Sequence, residues 1–147
     1  LYLARRLEIG AFDHLLAGDV AKKYATGGMF EVADLAAEQP RYAAQEISFT
    51  APLYGPKMWE ASAAAGELEQ AILAEAETTL DDFARVRVEG SRRMGRLLLQ
   101  DVAAAPHAAG IVVTFFLPKA AFATTVLREL MKTDVSGYAA IDESDED

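Results

Sequence analysis

The stretch Ile111-Val112-Val113-Thr114-Phe115-Phe116-Leu117 restricts the choice of fold more than any other part of the chain. Its β-branched and aromatic residues favour a strand, and Pro118 closes it. At strand length it falls far short of the ~20 apolar residues that a bilayer crossing needs. Apolar on both faces, it reads as a strand buried from two sides. A chain containing such a strand must build a sheet and a layer to cover it. Two helical patterns stand out beside it. Ser62 to Thr78 is rich in Ala, Glu and Leu, with Leu68, Ile72, Leu73, Ala61, Ala65 and Ala76 as its buried stripe. Ala120 to Lys132 follows Pro118 as a second helix.

The remaining segments are shorter. Leu3, Leu7, Phe12, Leu15 and Leu16 recur at roughly helical spacing up to Gly18, and Gly10 predicts a bend or break within that helix. Residues 19–24 and 29–32 flank Gly27-Gly28 and read as a hairpin. Asp34 can cap a helix from Leu35 to Gln39, Pro40 limits its continuation, and Arg41 to Gln45 form a further turn. Glu46 to Thr50 alternates as a strand ending at Pro52, and Pro52, Gly55 and Pro56 make an ordered loop whose Leu53, Tyr54, Met58 and Trp59 pack inward. Asp81-Asp82-Phe83 is a short capped turn. Arg92 to Val102 reads as a strand with a basic start, and Ala103 to Gly110 as a loop. Helices and strands intermix without a repeated βαβ unit, so the fold class is α+β with short antiparallel strands.

Composition narrows the chemistry. With 52% hydrophobic and 25% charged residues among 147, a packed core is expected rather than general disorder. The absence of cysteine removes thiolate nucleophiles, cysteine zinc sites and disulfides, and fits a cytoplasmic protein. Arg5, Arg6 and Glu8 interrupt any signal-peptide pattern. The first residue is Leu1, already inside an amphipathic pattern, which leads us to expect a piece of a longer chain. No Gly-rich phosphate loop, serine elbow or HExxH occurs. His14, on a helix, and His107, in an Ala-rich loop, read as two surface histidines, and no metal is expected. The net charge of -9 argues against this chain as the main nucleic-acid surface, because phosphate contacts need Lys and Arg. Part of the excess lies in the acidic tail, residues 142–147.

Identity is carried by four segments. Gly18-Asp19-Val20-Ala21-Lys22-Lys23 precedes Thr26-Gly27-Gly28-Met29-Phe30. Glu46 to Gly55 runs on to Lys57-Met58, and Ala65-Gly66-Glu67-Leu68-Glu69 follows. Most specific is Phe116-Leu117-Pro118-Lys119-Ala120-Ala121-Phe122-Ala123-Thr124-Thr125-Val126-Leu127-Arg128-Glu129-Leu130. In this order and spacing they resemble the TruD family of tRNA pseudouridine synthases almost end to end. Ser91-Arg92-Arg93 falls where that family has an Arg-Arg pair before a strand.

The resemblance implies isomerisation of uridine to pseudouridine in tRNA, position 13 being the usual bacterial target. The family uses no metal or organic cofactor, and an aspartate acts on a base flipped out of its stack. That aspartate lies in a Gly-x-Lys-Asp-like loop with no match here: Met131-Lys132-Thr133-Asp134 lacks the context, and Gly18-Asp19 belongs to a different pattern. No residue of this chain is therefore expected to be the nucleophile. By the same resemblance, residues 1–17 are a core helix truncated at its start and 18–102 the family's inserted domain. Residues 103–141 return to the synthase core, and the missing N-terminal half of the polypeptide is an implied partner beside tRNA.

Phe122 matches the position of an active-site aromatic, which would present a flat face to uracil. Taken without the family it is a core Phe. Ala120 stands where the family has Gly, which would permit a positive φ there. Lys119 is either a phosphate contact or a solvated lysine, and Arg128 a structural ion-pair former. Lys22, Lys23, Arg92, Arg93 and Arg96 form the best basic cluster for the tRNA backbone, provided that hairpin and strand lie side by side. The other class of function is a non-catalytic RNA-binding or protein-interaction module with the inserted-domain fold.

Overall fold

The computed structural model describes residues 1–118 and 121–132, and the chain divides into two compact units, Leu1–Leu97 and a second beginning at Leu98. In the first, helix α1 (Tyr2–Glu8) precedes strands β1 (Val20–Lys23) and β2 (Met29–Glu31), helix α2 (Leu35–Ala43) and strand β3 (Ile47–Leu53). Helices α3 (Ala63–Glu75) and α4 (Leu80–Arg85) and strand β4 (Ser91–Met94) complete it. The sheet is antiparallel in the order β2-β1-β3-β4. The α+β class read from the sequence holds.

The expected hairpin forms, with Val20 opposite Glu31 and Lys22 opposite Met29. Gly27 turns it at φ +71, and its N–H donates to the Lys23 carbonyl. At Gly18 the need is space as well as φ +80: a Cβ would lie 2.0 Å from the Ser62 carbonyl oxygen. The cap expected at Asp34 forms, and the turn expected at 81–83 is a capped helix. Asp34 accepts from the N–H groups of Ala36 and Ala37, and Thr79 with Asp82 forms a capping box for α4.

Several expectations are corrected. The break expected near Gly10 occurs, with Gly10 at φ +69, but the helix stops at Glu8 and does not resume, so Phe12, Leu15 and Leu16 sit on non-helical chain. Its buried face carries Tyr2 and Arg6, while Leu3 and Leu7 are exposed. Pro40 lies inside α2 rather than ending it. The lost N–H costs about 3 kcal/mol; the helix continues because it carries Tyr42 into the core, where its hydroxyl donates to the Phe12 carbonyl at 2.5 Å. Pro52 lies within β3, past the end of the β1 pairing and opposite Arg92, where only one ladder flanks the strand. In α3, Leu68 and Leu73 are half-buried and Ala76 is exposed; Ala65, Gly66, Glu69 and Ile72 are the buried residues.

Arg92 to Val102 is not one strand. β4 ends at Met94, and Gly95 passes so close under Phe49 that a Cβ would lie 2.1 Å from its ring. The next strand, β5 (Gln100–His107), belongs to a different sheet and occupies the span read as a loop. Alanines 103–105 are weak strand formers, but the antiparallel ladder to β6 (Gly110–Phe116) overrides propensity.

The core of the first unit gathers Tyr2, Leu15, Ala21, Val32, Tyr42, Ile47, Phe49 and Ile72. Phe49 is its hub, with Phe12 edge-on at 5.9 Å and Tyr42 stacked at 6.3 Å. The second unit has no such centre among its described residues. It consists of the β5–β6 ribbon and helix α5 (Ala123–Met131), and no residue of either strand is buried. The expected burial of 111–117 does not occur in this chain: Ile111 is 75% exposed and Phe116 57%. Buried on both faces requires neighbours on both faces, and β6 pairs only with β5.

Candidate functional site

Arginine is the residue around which the polar interior is built. Arg6 is fully buried, and each of its five N–H donors has an acceptor. Nε donates to the Ala11 carbonyl (2.8 Å), Nη1 to the Tyr2 hydroxyl (3.0 Å) and to Asp19 (2.7 Å), and Nη2 to Asp19 (3.1 Å) and the His14 carbonyl (2.9 Å). The guanidinium lies 3.8 Å from the centre of the Phe49 ring. Burial alone would lower the Arg6 pKa; the Asp19 bonds and charge, with Tyr2, outweigh it and raise it.

Arg92 repeats the pattern on the α3 side. Nε donates to the Thr50 hydroxyl (2.6 Å), Nη1 to the Trp59 carbonyl (2.6 Å) and Glu69 (3.3 Å), and Nη2 to the Thr50 carbonyl (3.1 Å) and Glu69. The Arg92 and Glu69 side chains are 1% and 5% exposed. Asp19 and Glu69 are thus acceptors locked on arginines, a framework arrangement rather than acid–base machinery. Sequence periodicity gives no sign of either pair.

This geometry separates the basic cluster read from the sequence. β3 lies between β1, which carries Lys22 and Lys23, and β4, which carries Arg92 and Arg93. Hairpin and strand therefore do not lie side by side. By register Lys23 faces Ile47 and Arg93 faces Ala51, two strands and four residues apart, about 10 Å across the sheet and about 13 Å along it. The Arg92 side chain is buried and closed to a phosphate in this conformation. Arg96 is half-buried over the Tyr42 ring at 3.4 Å and donates to the Tyr42 and Ile47 carbonyls. Lys23 and Arg93 are exposed and Lys22 half-buried, and none of the three is in an ion pair among the described residues.

In the second unit Phe122 is the N-cap residue of α5 and is 72% exposed. Lys119, Ala120 and the acidic tail 142–147 lie outside the described residues. Arg128 lies on α5, exposed and without an ion pair among the described residues, so the structural pairing expected of it is not seen. His14 and His107 are exposed, and among the described residues no group of His, Cys, Asp and Glu could hold a metal. No helix among the described residues is long and apolar enough to cross a membrane. The hydroxyls of Tyr2 and Tyr42 are pushed up to about 12 by burial, so neither is a base near neutrality.

Residues 1–130 match the family model described as tRNA pseudouridine synthase D (TruD). The protein of that name from Syntrophotalea carbinolica is 46% identical over 136 residues, covering 90% of this chain and 34% of that protein. Its namesake from Anaeromyxobacter sp. is 43% identical over 148 residues, covering 99% of this chain and 41% of its own length. A solved structure titled as a tRNA pseudouridine synthase D from Methanosarcina mazei superposes with a TM-score of 0.74 at 28% identity, over 90% of this chain and 35% of that one. The chain therefore spans between a third and about two fifths of the length of these relatives.

Proposed function

Because the chain belongs to the tRNA pseudouridine synthase D (TruD) family, we propose that it supplies the structural and RNA-holding part of an enzyme that isomerises uridine to pseudouridine in tRNA. The observation that carries this is the match over residues 1–130 together with relatives of which the chain covers only 34% and 41%. The nucleophilic aspartate then belongs to the part of the family that this chain does not span, and that part is its partner. The inserted domain, read from the sequence as 18–102, then ends within the first unit at Leu97, and the unit that begins at Leu98 returns to the catalytic core. The target is a uridine of the position-13 type, and the enzyme works in the cytoplasm.

Within this scheme Phe122 stacks on the flipped uracil and Lys119 approaches a phosphate at the mouth of the site. Lys22, Lys23 and Arg93 touch the tRNA backbone as separate points. Arg92, read from sequence as another contact, acts by holding β4 to α3 through Glu69. Support for Phe122 comes from its exposure at the start of α5: a large apolar ring in water, on the segment that carries the family resemblance.

Release of tritium from tRNA containing 5-tritiated uridine tests the division of labour. The chain alone is expected to release none. Mixed with the part of the Syntrophotalea carbinolica relative that lies outside the match, it is expected to restore release. Turnover by the chain alone would show that the nucleophile is here after all.

A further inference from the structure

The Pro-Gly loop does not pack Trp59 inward, although its sequence predicts that it should. The neighbours of Trp59 do pack: Met58 is 7% exposed, and the Tyr54 ring stacks on Phe83 at 6.3 Å while its hydroxyl donates to the Glu69 carbonyl. Trp59, the only tryptophan in the chain, is 44% exposed. Of the four residues expected to pack inward, Met58 and Tyr54 do so, while Leu53 (46% exposed) and Trp59 face solvent.

The backbone that presents this ring is held from several directions. The Trp59 carbonyl accepts from Arg92 Nη1 at 2.6 Å, so the buried Arg92–Glu69 pair anchors it. The Lys57 N–H donates to the Glu89 carbonyl at 2.7 Å, and the two side chains form an ion pair. Gly55 and Gly90 pass so closely that a Cβ on Gly55 would lie 2.4 Å from the Gly90 nitrogen. The entropy of ordering the loop has been lost on folding, so a ligand stacking on Trp59 does not have to supply it.

Resting on the tRNA reading above, we propose that Trp59 is an aromatic platform for an unpaired base of the RNA substrate. An indole face suits any nucleobase, and stacking of this kind is sequence-tolerant. The local charge favours stacking over phosphate contact. Lys57 pairs with Glu89 at the surface, the Arg92 side chain is buried, and Glu60 follows Trp59 in sequence. The contact therefore contributes affinity without releasing counterions, unlike Lys23 or Arg93.

The single tryptophan makes the test direct. Unmodified tRNA transcript is titrated into the full chain while Trp59 fluorescence is followed, with binding measured separately by the anisotropy of end-labelled tRNA. Quenching in step with binding is expected. Trp59→Ala should weaken binding roughly 5- to 150-fold and leave the slope of log affinity against log salt unchanged. Trp59→Phe should recover most of the affinity, and Lys23→Ala should instead reduce the salt slope by about one. Circular dichroism of Trp59→Ala serves as the folding control, and the quenching result on the unaltered chain stands independently of it. Binding by anisotropy with unchanged Trp59 fluorescence and full affinity in Trp59→Ala would overturn the platform and leave the tRNA reading intact. No binding of tRNA at all would overturn both. A change in oligomeric state in Trp59→Ala with RNA affinity unaltered would assign the ring to a protein contact and overturn the proposal.

Discussion

In the unit Leu1–Leu97 an arginine is buried to its last N–H, while in the unit that begins at Leu98 an isoleucine and two phenylalanines face solvent. Residue type predicts the reverse on both counts. The difference lies in what each backbone offers. The first unit has a four-stranded sheet with partners for every guanidinium donor of Arg6 and Arg92. The second, among its described residues, has a two-stranded ribbon and one helix, and such a ribbon is marginal by itself. Burial is a property of the surroundings that a fold assembles, and hydrophobicity decides only what burial is worth once it is available.

The comparison breaks most visibly at Arg6. Arg6→Met leaves the Asp19 carboxylate buried without its partner, which costs about 3–5 kcal/mol. Denaturant unfolding should lose most of the stability of the first unit. A midpoint close to that of the unaltered chain would mean that Asp19 finds water or another donor.

Ile47 and Ile111 sharpen it, since the same truncation is made in both units. Ile47→Ala removes a side chain with no exposure and should cost about 2–5 kcal/mol. Ile111→Ala acts on a side chain 75% exposed and should change stability by no more than about 0.5 kcal/mol. Equal losses would show that β6 is covered in solution, for instance by self-association, which sedimentation would reveal.

Alkali probes the first unit selectively. Burial raises the Tyr2 and Tyr42 hydroxyls from 10.0 to about 12, so the fold favours their protonated forms. Their contribution is complete below pH 10 and falls as the pH rises through 10 to 12, by up to ~2–3 kcal/mol for each tyrosine. Unfolding curves at pH 9 and 11.5 should show the decline, and Tyr42→Phe should make it shallower. A flat profile across this interval would contradict the burial of the two hydroxyls.

Phe122 gives the most specific effect, one on turnover rather than on stability. In the reconstituted enzyme, Phe122→Leu should lower kcat/KM roughly 5- to 150-fold, the equivalent of ~1–3 kcal/mol of stacking. Phe122→Tyr should retain most of it, and melting temperature should barely move, because the ring is 72% exposed. Early melting with normal turnover would make Phe122 a packing residue.

Much of this protein is legible in its amino-acid sequence alone. The segment Phe116 to Leu130 carries the family, Gly27-Gly28 the hairpin, Asp34 a helix start, and the run read from Ser62 to Thr78 the longest helix, which forms over Ala63–Glu75. These signals are local: turns, caps and helical runs depend on residues a few positions apart. What the tertiary structure alone decided involves partners far apart in sequence. Arg6 meets Asp19 thirteen residues on, and Arg92 meets Glu69 twenty-three residues back. The span from Arg92 to Val102, which reads as one strand, is divided between two sheets by the separate pairing of β4 with β3 and β5 with β6. Trp59 and Ile111 are exposed because nothing described in the fold covers them, and Arg92 is withdrawn from solvent because Glu69 and Thr50 are arranged to receive it. A periodic pattern records which face of an element is apolar; only the assembled neighbours determine whether that face is covered and whether a charge finds its counterpart.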